Sequence, residues 1–554
     1  MKITYKFIIF VLLLGVVSCE SSFLEEIHPT RESSDIFFTN DEEAKEAVIS
    51  LYGWVGDSYG RWVDKWVPSF DMLRGDNLTL PKTFHNNTIV QWLTLNYNPE
   101  TSNVRDAWSE NYEIVYLSNW VIANVEGNEN ISESVRNEVL AQAYFMRGFG
   151  YFNLTRLFEE VPILLEPTTS ETYYPEKSSN EECWVQVDND FQRSLDLDIE
   201  DPAPNYVDGR INSGVVNAMI ARSYLYRTRP GSNQYWDKVK QYTEAVEDMN
   251  VYSLEPIEDF ARLFVYTKED TWVKNSEVIW VAGFRYGPTY GGTPFVYDNQ
   301  TRITNITQPF GYSATTIQND VGDTYIMANG IVKGWARYAL SQPISDVMID
   351  YMSLGDKRTQ EFLYYPTFND YQLEDLEDPT SVALKETIDA DALYQKIKET
   401  DGAQGEYIHL KKFQIKEFIG TNIWDGGFHH ALMYPLIRYA DILLMRAEAE
   451  YHLGNENIAK EYLKMITDRA GFEFDYVDQF SGQNLLDEIL KQRNVELVLE
   501  GLRVPDLIRL DKFKPPYVGT YQGSVPFEEK LKVLPIPQRE LDLNQNLVQH
   551  ELWR

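Results

Sequence analysis

Two cysteines in 554 residues, Cys19 and Cys183, exclude a disulfide-built scaffold. Basic residues are also scarce, with 50 Lys and Arg against 85 Asp and Glu, a formal charge of −35. A field of that sign repels phosphate backbones, and no basic stripe interrupts it, so nucleic acid is excluded as a partner. The chain has no Gly-x-Ser-x-Gly, no His-Glu-x-x-His and no phosphate-cradling glycine loop. Only seven histidines are present, and the adjacent pair His429-His430 has no further ligand at metal-binding spacing. Neither a metal nor a cofactor is expected.

The one conspicuous apolar run, Phe7 to Val17, has eleven residues, whereas a membrane span needs about 20. Lys2 and Lys6 precede it and Ser18-Cys19 follow it, the order of a secretory signal. Val16-Val17-Ser18-Cys19 resembles a bacterial lipobox, in which the cysteine is acylated and becomes the first mature residue. Residues 1–18 are thus expected to be removed and Cys19 to be lipidated, leaving a tethered chain. Loss of two lysines with that segment takes the charge to −37. Cys183 then has no partner, and its helical spacing with Trp184, Val187 and Phe191 marks it as a small buried side chain.

Helical periodicity clusters at the two ends. Asn40 is placed to cap a first helix through 55, and further helices are expected at 103–127, 132–160, 180–197, 209–228 and 233–249. Gly148 and Gly150 lie among aromatics in the third of these, where each would cost about 1 kcal/mol in an isolated helix. Close approach of neighbouring helices explains them better. Downstream, helices are expected at 436–454, 456–471 and 483–503. Ala447, Tyr451, Ala459, Leu463 and Ala470 follow the tetratricopeptide alternation of small and large residues about a turn at Gly454-Asn455. Between 251 and 435 the texture is Gly-, Thr-, Tyr- and Pro-rich, as in loops and short strands. The expected division is 19–250 helical, 251–435 loop-rich and ligand-binding, and 436–554 helical, completing the scaffold. The fold class is mainly α, a tetratricopeptide-like hairpin scaffold carrying loops.

Arg493, Glu496, Glu500 and Arg503 fall on one face if 483–503 is a single helix. Two carboxylates so spaced suit a retaining glycosidase, but an acid catalyst needs a raised pKa and flanking arginines favour ionised carboxylates. An arginine–glutamate ladder between packed helices is the better reading, and no catalytic residue is assigned.

Aromatics make up 14% of the chain, including 36 tyrosines and 13 tryptophans. Trp54, Trp62, Trp66 and Trp92 flank "DMLRGDNLTL", which supplies Arg74, Asp76 and Asn77. A sugar offers apolar C–H faces and a hydroxyl rim, so its site wants flat rings beside amide, carboxylate or guanidinium groups. This segment has both, though the same tryptophans could close the gap behind the first helix. Tyr286, Tyr290, Tyr297, Tyr312, Trp335 and Trp424 form a second group on expected loops.

Three ordered stretches, "AQAYFMRGFGYFNLTRLFEEVPIL", "YPLIRYADILLMRAEAEYHLGN" and "EILKQRNVELVLEGLRVPDLIRL" with "LPIPQRELDLNQNLVQ", resemble the SusD/RagB family of outer-membrane lipoproteins. The chain departs from the family pattern at Val504-Pro505, where an aromatic is usual, and in its sparse acids after Cys19. The resemblance implies a cell-surface lipoprotein that captures oligosaccharides, or in some members peptides, without catalysis. It implies hand-over to a SusC-type TonB-dependent transporter, with the lipid anchor as the sole membrane contact. A lipid-anchored glycoside hydrolase or lyase on a helical scaffold is the alternative.

Overall fold

In a computed structural model of the chain, the described residues are 38–56, 70–79, 87–167, 174–197, 199–204, 209–264, 275–283, 339–358, 433–514 and 525–554. Backbone pairs are also described at 312–313 with 333–334, 363–364 with 409–410, and 371–373 with 382–384. Helix α1 (Asp41–Gly56) starts at Asn40, whose Oδ1 accepts from the amides of Glu42 and Glu43 at 3.0 and 3.1 Å. Three acids fill its first turn, where the helix dipole favours them. A short α2 (Asn87–Leu93) leads to α3 (Ser102–Val125) and α4 (Glu133–Phe158).

The glycines of α4 explain how its neighbours fit. A Cβ at Gly148 would lie 2.9 Å from Phe191 of α5 (Asn180–Asp196), and one at Gly150 would lie 2.8 Å from Ile114 of α3. The missing side chains therefore let α4 sit between two helices at close range. A buried polar group locks the same layer. Arg147 of α4 donates to Asp190 of α5, with Nη2 2.7 Å from Oδ1, and to Asn119 Oδ1 of α3 at 2.9 Å. Cys183 is buried on α5, and that burial pushes its thiol up to about 11. A Ser179–Glu182 capping box starts α5.

Helices α6 (Ser213–Arg227) and α7 (Trp236–Glu247) continue the array. Strand β2 (Val278–Gly283) crosses to pair antiparallel with β4 (Met433–Arg438), Met433 opposite Gly283 and Arg438 opposite Val278. A two-residue pair, β1 (Leu78–Thr79) with β3 (Ala339–Leu340), joins the first part of the chain to the middle. From β3 the chain enters α8 (Gln342–Ser353). The C-terminal hairpin is α9 (Tyr439–His452) and α10 (Glu456–Ala470), turning at Gly454 with φ +84°. Of the five residues with tetratricopeptide-like spacing, Ala447, Ala459, Leu463 and Ala470 are buried, and Tyr451 is half-buried against the same cluster. Trp236 of α7 stacks on His452 of α9 at 4.2 Å, welding the hairpin to the first set of helices. Helices α11 (Gln483–Glu496), α12 (Arg503–Arg509) and α13 (Gln538–Leu543) complete the chain.

Three expectations are corrected. The helix expected from 436 begins at Tyr439, because residues 433–438 form β4. The helix expected through 503 stops at Glu496. Leu499 (φ 64°) and Gly501 (φ 73°) adopt left-handed backbone there, and the chain restarts as α12. Helix α8 lies inside the stretch expected to hold only loops and strands. No described helix is long and apolar enough to cross a membrane.

Candidate ligand-binding site

The segment 70–79 carries three of the expected binding residues, Arg74, Asp76 and Asn77, and their side chains are already engaged. Arg74 is 1% exposed. Its Nη2 donates to the carbonyls of Leu531 (2.7 Å) and Lys532 (3.2 Å), and its guanidinium lies over Tyr97 and Phe513. Asn77 exchanges amide hydrogen bonds with Asn494 at 2.8 and 3.3 Å. Asp76 accepts from Arg503 Nε and Nη2, both at 2.7 Å, and keeps about a quarter of its side chain exposed (28%). Gly75 permits this close seating, since a Cβ there would meet Val504 Cγ2 at 3.3 Å.

Trp92 is buried at 1% exposure, edge-on to Phe70 at 4.7 Å and 5.0 Å from Tyr97. The binding-platform reading is therefore corrected for Trp92, and the open-contact reading for Arg74 and Asn77. Arg74 and Asn77 hold the joint between the first and last parts of the chain, and Trp92 packs on Phe70 and Tyr97 within the first part. Asp76 stands at the edge of that joint. The Trp54 side chain, Trp62, Trp66, Tyr290, Tyr297, Trp335 and Trp424 lie outside the described residues, as do Tyr286, the Tyr312 side chain, Cys19 and the His429-His430 pair.

Behind this joint lies a buried ionic network that spacing alone could not reveal. Arg438, at the end of β4, contacts Glu277, Glu496 (3.0 Å) and Glu500 (2.8 Å). Arg358 contacts Asp356 (2.7 Å) and Glu496 (2.9 Å), while Arg469 contacts Glu277 and Glu496. A second group links Arg222 and Arg493 to Asp441, Arg493 and Arg509 to Asp506, and Arg509 to Glu448. The expected ladder along 493–503 is thus replaced. Its four residues pair with other segments, Arg493 with Asp441 and Asp506, Glu496 and Glu500 sharing Arg438, and Arg503 with Asp76, and the turn at 497–501 breaks the common face. Burial opposes the charge of Glu496, but Arg469, Arg438 and Arg358 hold its carboxyl well below the usual range. A carboxylate so held cannot donate a proton to a glycosidic oxygen near neutral pH. The sequence signals for this network were the arginines and acids of "IRYADILLMRAEAE", whose partners lie in other segments.

Among the described residues no group of three His, Cys, Asp or Glu is placed to hold a metal.

A family model described as the SusD family matches residues 276–553, half of the chain. The chain belongs to the SusD family. A second family model, described as starch-binding and associating with outer membrane, matches residues 31–225 of this SusD-family chain. SusD-like protein P25 of Formosa agariphila is 21% identical over 585 residues, covering 99% of this chain and 98% of its own. The crystal structure of a SusD homolog from Bacteroides thetaiotaomicron superposes with a TM-score of 0.70 at 18% identity, covering 94% of this chain and 99% of that one. A solved laminarin-binding SusD-like protein gives 0.66 at 20% identity, over 92% of this chain and 99% of its own. Their shared fold agrees with the helical-hairpin scaffold described above.

Proposed function

We propose that this protein captures oligosaccharides at the outer face of the outer membrane and passes them on without chemical change. Membership of the SusD family carries the reading. The starch-binding description of its N-terminal match and the laminarin-binding relative favour a glycan over a peptide. Trp62, Trp66, Tyr290, Tyr297, Trp335 and Trp424, with Trp54 and the exposed edge of Asp76, are the proposed contact residues. Lipidated Cys19 holds the chain to the membrane, and a SusC-type TonB-dependent transporter receives the cargo. The paired state of Glu496 and Glu500 favours binding over hydrolysis.

Two arms test this in cells. Cys19→Ala releases the protein from outer membranes lacking the transporter, since acyl chains supply about 0.8 kcal/mol per buried CH₂. The native protein co-purifies with the neighbouring transporter in mild detergent, at low and moderate salt. Membrane retention of the variant contradicts the anchor. Elution of the lipoprotein alone from membranes containing the transporter contradicts the hand-over.

A further inference from the structure

On α3, Trp108, Tyr112 and Tyr116 recur at one-turn spacing and border a cleft of ≈ 350 Å³. Leu164, Tyr174 and Leu543 line its other walls. Tyr116, Tyr174 and Leu543 are 50%, 47% and 57% exposed, so large apolar side chains converge on one open surface. Such convergence marks an interaction site.

One carboxylate belongs to this cleft. Glu540, on α13, has no side-chain hydrogen bond or ion pair among the described residues. Burial pushes its carboxyl upward, and its chain neighbour Arg539 offsets that only in part. Four of the other polar side chains are occupied. Tyr112 Oη donates to Pro162 O at 2.7 Å, Asn119 Nδ2 to Leu164 O at 2.9 Å, Asn544 Nδ2 to Pro175 O at 2.7 Å, and Ser109 Oγ to Asp106 O at 3.3 Å. The cleft therefore offers aromatic and aliphatic walls with a single unmatched anion. A sugar ring requires several donors and acceptors around its rim, and of the polar side chains here Tyr112, Asn119, Asn544 and Ser109 are already engaged, leaving the Tyr116 hydroxyl and the Trp108 indole N–H beside Glu540. A cation on an alkyl stem matches what remains, with the stem on the walls and the head on the carboxylate and ring faces.

We propose that this cleft seats a lysine or arginine side chain presented by a partner polypeptide, with its stem against Tyr112, Tyr116 and Leu543 and its charge on Glu540. The strongly acidic chain favours approach of such a basic segment. The proposal is independent of glycan capture.

The test titrates short capped peptides of Gly, Leu and Tyr into the Cys19→Ala protein by calorimetry. Sets with central lysine or arginine are matched to sets with norleucine or citrulline. The cationic members are expected to bind about tenfold tighter, the size of a charge-assisted contact. Glu540→Gln is expected to erase that difference with an unchanged melting temperature, and Tyr116→Ala to weaken both classes. Absence of binding by every set, equal binding of charged and neutral members, or a preference that survives in Glu540→Gln overturns the proposal. Displacement of the peptides by laminari-oligosaccharides, with Tyr116→Ala abolishing sugar binding, would assign the cleft to sugar instead. Glycan binding unaffected by Glu540→Gln keeps this result separate from the capture function.

Discussion

Arg503 grips Asp76 with two nitrogens, each 2.7 Å from a different carboxylate oxygen, across 427 positions of sequence. The pair is partly exposed, 25% and 28%, so its strength is that of a two-pronged contact discounted for solvent. Asp76→Ala and Arg503→Ala should each lower unfolding free energy by about 1 kcal/mol. The double variant should cost little more than either single one, as partners in one interaction require. Urea unfolding of the three proteins checks this. Additive losses would mean that the pair is not coupled.

Acid should loosen the C-terminal scaffold through Asp441. Burial opposes its charge, yet Arg493 and Arg222 hold its carboxyl at about 2, below the ordinary 3.8. A depressed carboxyl contributes stability that is fully present above 3.8 and is lost as pH falls through about 2. The contribution is about 2 kcal/mol. Asp71 and Asp190, raised by burial despite Arg156 and Arg147, act in the opposite direction. Asp441→Asn is therefore expected to be less stable near neutral pH and to show a shallower fall in urea midpoint between about pH 4 and pH 2. An acid limb as steep as that of the unaltered protein would remove Asp441 from the account.

Gly150→Ala tests the close helix packing. The added Cβ would sit 2.8 Å from Ile114 Cγ2 and 3.0 Å from Val115 Cγ2. Overpacking costs about 1–3 kcal/mol, against about 1 kcal/mol gained in helix propensity. A net loss, read as a lower melting temperature, is expected. A gain would show that α3 and α4 can separate freely.

Those glycines were legible in the sequence because small residues among aromatics at helical period have few other uses. The helix pairs were legible for the same reason of period. Strand β4 was not, since "MYPLIR" runs directly into the apolar positions of α9 and a short buried strand looks like the start of a helix. The ionic network was hidden because linear spacing assumed one helix from 483 to 503, whereas Leu499 and Gly501 turn the chain and the charges pair with arginines and acids of other segments. Trp92 and Trp66 look alike in sequence. Burial, which sequence does not display for a single aromatic, places Trp92 in the core.

The buried position of Trp92 and the proposed contact role of Trp66 give a prediction. Trp92→Ala should cost about 3–5 kcal/mol of stability, the loss expected for a core aromatic. Trp66→Ala should leave the melting temperature nearly unchanged and weaken glycan binding by about fivefold or more, as removal of an anchoring ring does. Calorimetric melting and binding on both variants decide it. Equal destabilisation with unaltered binding would return Trp66 to a packing role.

The most direct measurement of the central claim is migration of the purified Cys19→Ala protein through native gels cast with laminarin, starch or other polysaccharides, paired with an assay for new reducing ends. The account predicts slowed migration in at least one polysaccharide and no release of reducing ends. Unslowed migration in all of them together with tight binding of peptides, or hydrolysis abolished by a single carboxylate substitution, would contradict it.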